Sequence, residues 1–189
     1  MEKDFFIPLI LGTNREGRQS ECVARVIRKI CEADSRVETK LFDVRDFDLP
    51  RSNYGQSIKE SFPEYRDAIE RCDGLIIVTP EYNHGYPGVL KSVLDLLLPE
   101  YKHKAVGLVG VSAGAWGGVR VLESLTVVVR ELGLIVSSKD LNFPKVGDMF
   151  DEGGELNGEL KEAVHERCEG FLEELIWLAD ALRAKRNTE

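Results

Sequence analysis

The chain has 189 residues, 43% of them apolar and 31% charged. That balance supplies a sizeable core under a solvated surface and excludes disorder or fibrous repeats as its main character. Its 33 acids against 25 bases leave a net charge of −8 with no basic stripe, which excludes nucleic acid and anionic membranes as expected partners, because phosphate neutralisation supplies most of that affinity.

No apolar run approaches the ~20 residues needed to cross a bilayer. The start, Met1-Glu2-Lys3-Asp4, lacks the basic and apolar pattern of a secretion signal. Cys22, Cys31, Cys72 and Cys168 are scattered without a Cys-x-x-Cys pair, so reduced thiols and a cytoplasmic address are expected. His84, His103 and His165 lie far apart and give no metal-ligand spacing, so no metal site is expected.

Residues 5–11 are an apolar run ending at Gly12 and read as a first strand, with Pro8 tolerated near its start. Residues 20–33 carry Val23, Val26, Ile27 and Ile30 at helical spacing. Residues 37–44 read as a second strand closed by Asp48-Leu49-Pro50, and residues 51–57 as a polar loop. Phe62, Tyr65, Ile69 and Cys72 mark a helix, and residues 74–79 a buried strand. A helix over residues 87–98 follows, with Pro87 at its first position. Residues 105–111 are another buried strand, residues 118–132 a helix stopped by Gly133, and residues 134–136 a short fifth strand. In the last helix Leu160, Val164, Cys168, Phe171, Leu175 and Leu182 line one side, with the acids opposite.

This alternation predicts an α/β fold: one domain over residues 1–189, built as a three-layer, doubly wound, five-stranded parallel sheet. Such sheets bind ligands beyond the carboxyl ends of their strands. The loops after strands one, three and four are therefore the informative ones.

The first, Gly12-Thr13-Asn14-Arg15-Glu16-Gly17-Arg18-Gln19-Ser20, is rich in hydroxyl and amide groups and leads into a helix. Helix-terminal N–H groups, the hydroxyls of Thr13 and Ser20, and Arg15 or Arg18 would suit a phosphate monoester. The spacing approaches a P-loop, but Arg18 and Gln19 replace the lysine and the magnesium-binding hydroxyl, so triphosphate hydrolysis is excluded. The second loop, Pro80-Glu81-Tyr82-Asn83-His84-Gly85-Tyr86-Pro87, is a stiff turn that could present backbone donors and acceptors to a flat heteroaromatic edge. The third, Ser112-Ala113-Gly114-Ala115-Trp116-Gly117-Gly118, has small residues that let a ring approach the backbone. Three such loops on one edge point to a planar cofactor bearing a phosphate.

Together the Gly12–Ser20 loop, Pro80-Glu81-Tyr82-Asn83 with Leu90, Lys91 and Asp95, and Ser112-Ala113-Gly114 with Gly117-Gly118 resemble the NADPH-dependent FMN reductase family, whose fold is flavodoxin-like. The resemblance implies non-covalent FMN, with its phosphate on Thr13, Asn14, Arg15, Gln19 and Ser20. It implies a flavin ring between Pro80, Glu81, Tyr82 and Asn83 on one side and Ser112, Ala113 and Gly114 on the other. No catalytic side chain is then needed: hydride would pass from NADPH or NADH to the flavin N5 and electrons onward to a small acceptor such as a flavin, quinone, azo compound or metal oxyanion. A homodimer or homotetramer is implied as well. Leu90, Lys91 and Asp95 are expected to pack and pair rather than touch the cofactor. Two other readings share the scaffold: an electron-transfer flavoprotein with a protein partner, and a flavin-free interaction module.

Overall fold

The computed structural model describes residues 3–53 and 55–188; Met1, Glu2, Tyr54 and Glu189 lie outside them, and with them part of the chain start and of the predicted 51–57 loop. The first strand is formed in two pieces, β1 (Phe5–Phe6) and β2 (Leu9–Leu11), and so is the second, β3 (Val37–Glu38) and β4 (Leu41–Asp43). The pairing register is the same on both sides of the gap, Phe5 opposite Val37 and Leu9 opposite Leu41, so the break is local. The Phe5, Ile7 and Leu9 N–H groups still donate across the gap to the Arg36, Glu38 and Lys40 carbonyls, while the Ile7 carbonyl accepts the Thr39 hydroxyl at 2.7 Å.

β5 (Gly74–Pro80) and β6 (Ala105–Val111) are the central strands, fully buried along their length. Their near-continuous apolar sequences reflect cover on both faces. The pairings among these strands are parallel, and the main sheet runs β4-β2-β5-β6-β7, with β8 also on β6. The predicted fifth strand was too short: β7 (Ile135–Val136) is followed by β8 (Leu141–Phe143). Between them the chain bulges, advancing from Val136 to Leu141 while β6 advances only from Val106 to Val109.

Helices α1 (Ser20–Ala33) and α5 (Gly158–Arg186) cover one face, where Leu9, Leu11, Ile76, Val78 and Val109 point. Helices α2 (Pro63–Arg71), α3 (Gly88–Leu94) and α4 (Val119–Glu131) cover the other, over Ile10, Leu75, Ile77 and Leu108. The helix predicted over residues 87–98 is shorter than expected. Pro87 caps α3 from outside, and beyond Leu94 the chain turns so that Leu96 and Leu97 face the core while Leu98 stays exposed. In α5 the predicted stripe holds from Val164 onward, but Leu160 is exposed because the first turns project beyond the sheet.

Candidate functional site

The chain passes from β2 to β4 on one side and then to β5 on the other, so the strand order reverses between β2 and β5. Loops leaving β2 and β5 at such a reversal part and open a crevice at their carboxyl ends. Gly12 sits at that point, where a Cβ would come within 2.8 Å of the Leu90 side chain and 3.2 Å of the Val78 carbonyl. A side chain there would push the first loop off β5.

In the first loop Thr13 is completely buried, and its hydroxyl lies 2.9 Å from the Tyr82 hydroxyl in the second loop. The Arg15 N–H donates back to Thr13 Oγ1 at 3.3 Å. Arg18 is turned inward: Nη1 donates to Asp43 Oδ1 at 2.7 Å, Nη2 to Oδ2, and Nη1 also to the Thr13 carbonyl. Its Nε lies 3.3 Å from Glu21. Burial pushes the Asp43 carboxyl up, but Arg18 and the Arg45 N–H outweigh it and hold the group below its ordinary value of 3.8. Arg45 reaches over from beyond β4 and donates to the Arg15 carbonyl at 2.5 Å and the Asn14 carbonyl at 3.4 Å. Asn14, Arg15 and Gln19 are exposed on the loop. Ser20 opens α1 with its hydroxyl buried and without a hydrogen-bond partner among the described residues. Of the two arginines, Arg18 is therefore a strut, and Arg15 is the one turned outward.

Pro80, predicted in the second loop, is the buried last residue of β5. The Glu81 N–H donates to the Val111 carbonyl at 2.9 Å, and its carboxylate lies 3.5 Å from Arg120. Tyr82 and Gly85 exchange backbone hydrogen bonds of 2.9 and 3.0 Å around Asn83 and His84, at φ 51° and 68°. Positive φ at both central residues defines a two-residue primed turn. Asn tolerates this readily; His84 pays about 1 kcal/mol for it, which marks the turn as held by its surroundings.

The third loop is tied to the segment after β8: Ser112 N–H donates to the Phe143 carbonyl at 3.1 Å, and Lys145 N–H to the Gly114 carbonyl at 3.0 Å. Ala113 and Gly114 are exposed, and Ser112 Oγ donates to the Gly114 carbonyl at 3.0 Å. Leu90 is buried and Lys91 pairs with Asp95 at 2.6 Å, as packing and pairing residues. The residue prediction missed was Asp43, whose only sequence signal is an acid at a strand end. A groove of about 520 Å³ lies elsewhere, between α1 and α5 beside Ile30 and His165. The buried Ser20 hydroxyl without a partner among the described residues is not part of its lining.

A doubly wound sheet with a polar rim at its reversal point is the architecture of the flavodoxin-like flavoenzymes. The fold aligns with that of the flavoenzyme NAD(P)H:(acceptor) oxidoreductase FerB from Paracoccus denitrificans at a TM-score of 0.74 and 21% identity, covering 90% of this chain and 97% of the other. In sequence the chain is 31% identical to a quinone reductase of Escherichia coli (strain K12), over 85% of this chain and 94% of that protein. It is 29% identical to an NADPH azoreductase of Bacillus sp. (strain OY1-2), over 84% and 85%. The sequence pattern of the NADPH-dependent FMN reductase family matches residues 7–148. The chain belongs to that family, and it is an oxidoreductase that uses FMN with NAD(P)H as electron donor.

Proposed function

We propose that the rim built from Thr13, Asn14, Arg15, Gln19 and Ser20, from Pro80 to Asn83, and from Ser112 to Gly114 is the FMN site, and that the electrons pass to a quinone or azo compound. The buried Ser20 hydroxyl, without a hydrogen-bond partner among the described residues, carries this reading. A polar atom out of water without a hydrogen bond costs about 1–3 kcal/mol, and a phosphate oxygen on the first turn of α1 would remove that cost. The surrounding groups suit the same guest: the α1 amides, Arg15 turned outward, and Thr13 tied to Tyr82 so that the tail-binding and ring-binding loops share one hydrogen bond.

Bound FMN would supply the redox chemistry that links hydride from the pyridine nucleotide to electron delivery at the acceptor. The protein positions it: Glu81 ties the turn to β6, Tyr82 closes it onto Gly85, and the ties of Ser112 and Gly114 to residues 143–145 hold the opposite wall. The names of the relatives, quinone reductase and azoreductase, support planar acceptors. The reading further includes residues 1–189 acting as one flavin-binding domain, a cytoplasmic address that suits the free thiols, and a homodimer or homotetramer to which exposed Val127 and Leu98 could contribute.

The test is mass analysis of the cofactor released on denaturation, followed by NAD(P)H oxidation with a panel of acceptors. FMN and steady turnover with quinones are expected; a colourless protein that takes up no added FMN refutes the proposal. Steady NAD(P)H oxidation by the purified protein alone also separates it from an electron carrier that needs a protein partner. Arg15→Ala is expected to weaken FMN binding about ten-fold, the worth of one charge-assisted hydrogen bond, and His84→Ala much less. Equal retention in the two variants removes the phosphate assignment.

A further inference from the structure

Trp116 stands at the tip of the third loop with 64% of its surface exposed. Gly117 and Gly118, at φ 63° and 85°, press the following segment onto β6. A Cβ on Gly118 would lie only 2.7 Å from the Val111 nitrogen. One face of the indole is already taken: the Arg120 guanidinium carbon lies 5.3 Å from the ring centroid, within the range of a cation–π interaction.

Arg120 is itself anchored by Glu81, Nη1 to Oε1 at 3.5 Å, and that carboxylate is 11% exposed with Oε2 buried and without a partner among the described residues. A chain of three groups thus runs from the second loop through α4 to the indole. A largely buried carboxylate faces a cation, and the cation lies over one ring face, which leaves the opposite face for a second ring.

We propose that this other face of Trp116 is the platform on which the electron acceptor stacks, and that it selects planar aromatic acceptors. The proposal rests on the reading of the rim as the flavin site, because Glu81 belongs to the turn assigned to the flavin ring. An indole with a cation already over one face gives up less conformational freedom when a flat ring lies on the other. A hydrated inorganic ion has no π-face and gains nothing there. Arg120 acts through the indole and is a positioning residue.

The experiment compares 1,4-naphthoquinone with ferricyanide as acceptors for the flavin-loaded enzyme at saturating NAD(P)H. In Trp116→Leu the ratio of kcat/KM for the quinone to that for ferricyanide falls about ten-fold, the loss residing in KM, and Trp116→Phe keeps the ratio within about three-fold. Arg120→Gln lowers the same ratio, and Arg120→Lys, which keeps the cation, restores it. An unchanged ratio at full flavin content overturns the platform alone. Wild-type protein that takes up no flavin overturns the rim reading and the platform together. A change of oligomeric state in Trp116→Leu, read by light scattering, makes the indole a subunit contact and overturns the platform as well.

Discussion

Asp43 ends β4 and fixes the shape of the first loop from outside it. It receives two bonds from Arg18, whose side chain is only 4% exposed, and one from the Arg45 N–H. Asp43→Asn keeps the shape and removes the charge, leaving the guanidinium undercompensated. We expect a loss of about 2 kcal/mol in denaturant unfolding. The pH dependence has a definite sign. A carboxyl held below 3.8 stabilises the fold above its unfolded value, and that contribution disappears as pH falls through the folded value. The gap between wild type and Asp43→Asn therefore narrows on acidification below about pH 4; a gap independent of pH would remove the charge from the explanation. The sequence shows both arginines of the loop equally plainly and cannot separate them. The partner that does so is 25 residues away on a neighbouring strand, a pairing that only the register of β2 with β4 creates.

Among the elements, α5 lies directly on the middle of the sheet because Gly107 leaves space for it. A Cβ there would stand 2.4 Å from Phe171 Cζ, deep in the core. Gly107→Ala should cost about 1–3 kcal/mol by overpacking. Adding Phe171→Leu, which removes the opposing ring, should return part of that loss in a double-mutant cycle; simple additivity would show that the two positions do not meet. The elements legible in the sequence are those with strong patterns, such as residues 20–33, whose predicted bounds match α1, and residues 105–111, which match β6. What escaped has a physical reason in each case. The polar run Ser137-Ser138-Lys139-Asp140 ends the apolar pattern of the expected fifth strand at residue 136, yet it is a bulge after which β8 resumes beside β6. Leu96 and Leu97 look helical because they are apolar, yet they turn inward after a helix that has already ended at Leu94.

For the molecule as a whole, burial sets thiol chemistry. It pushes Cys31 and Cys168, between α1 and α5, up to about 12 and Cys72 up to about 11, while Cys22 is only half-buried. At pH 8 only Cys22 should react with Ellman's reagent in the native protein, and all four cysteines in denaturant; rapid native labelling of Cys31 or Cys168 would contradict the packing of α5. The three loops of the proposed site stand out in the sequence because glycine, proline and hydroxyl residues follow strands there, whereas their ties, Thr13 to Tyr82 and Glu81 to Arg120, depend on distances no spacing reveals.

The inward pairing of Arg18 with Asp43 also bears on how a cofactor would arrive. With that guanidinium cancelled locally and the chain at −8, no broad positive field draws a phosphate dianion toward the rim. Encounter is then unsteered, and the lifetime of the complex must come from short, directional donors that act only after arrival. Tight retention in such a protein is a matter of slow departure rather than rapid capture.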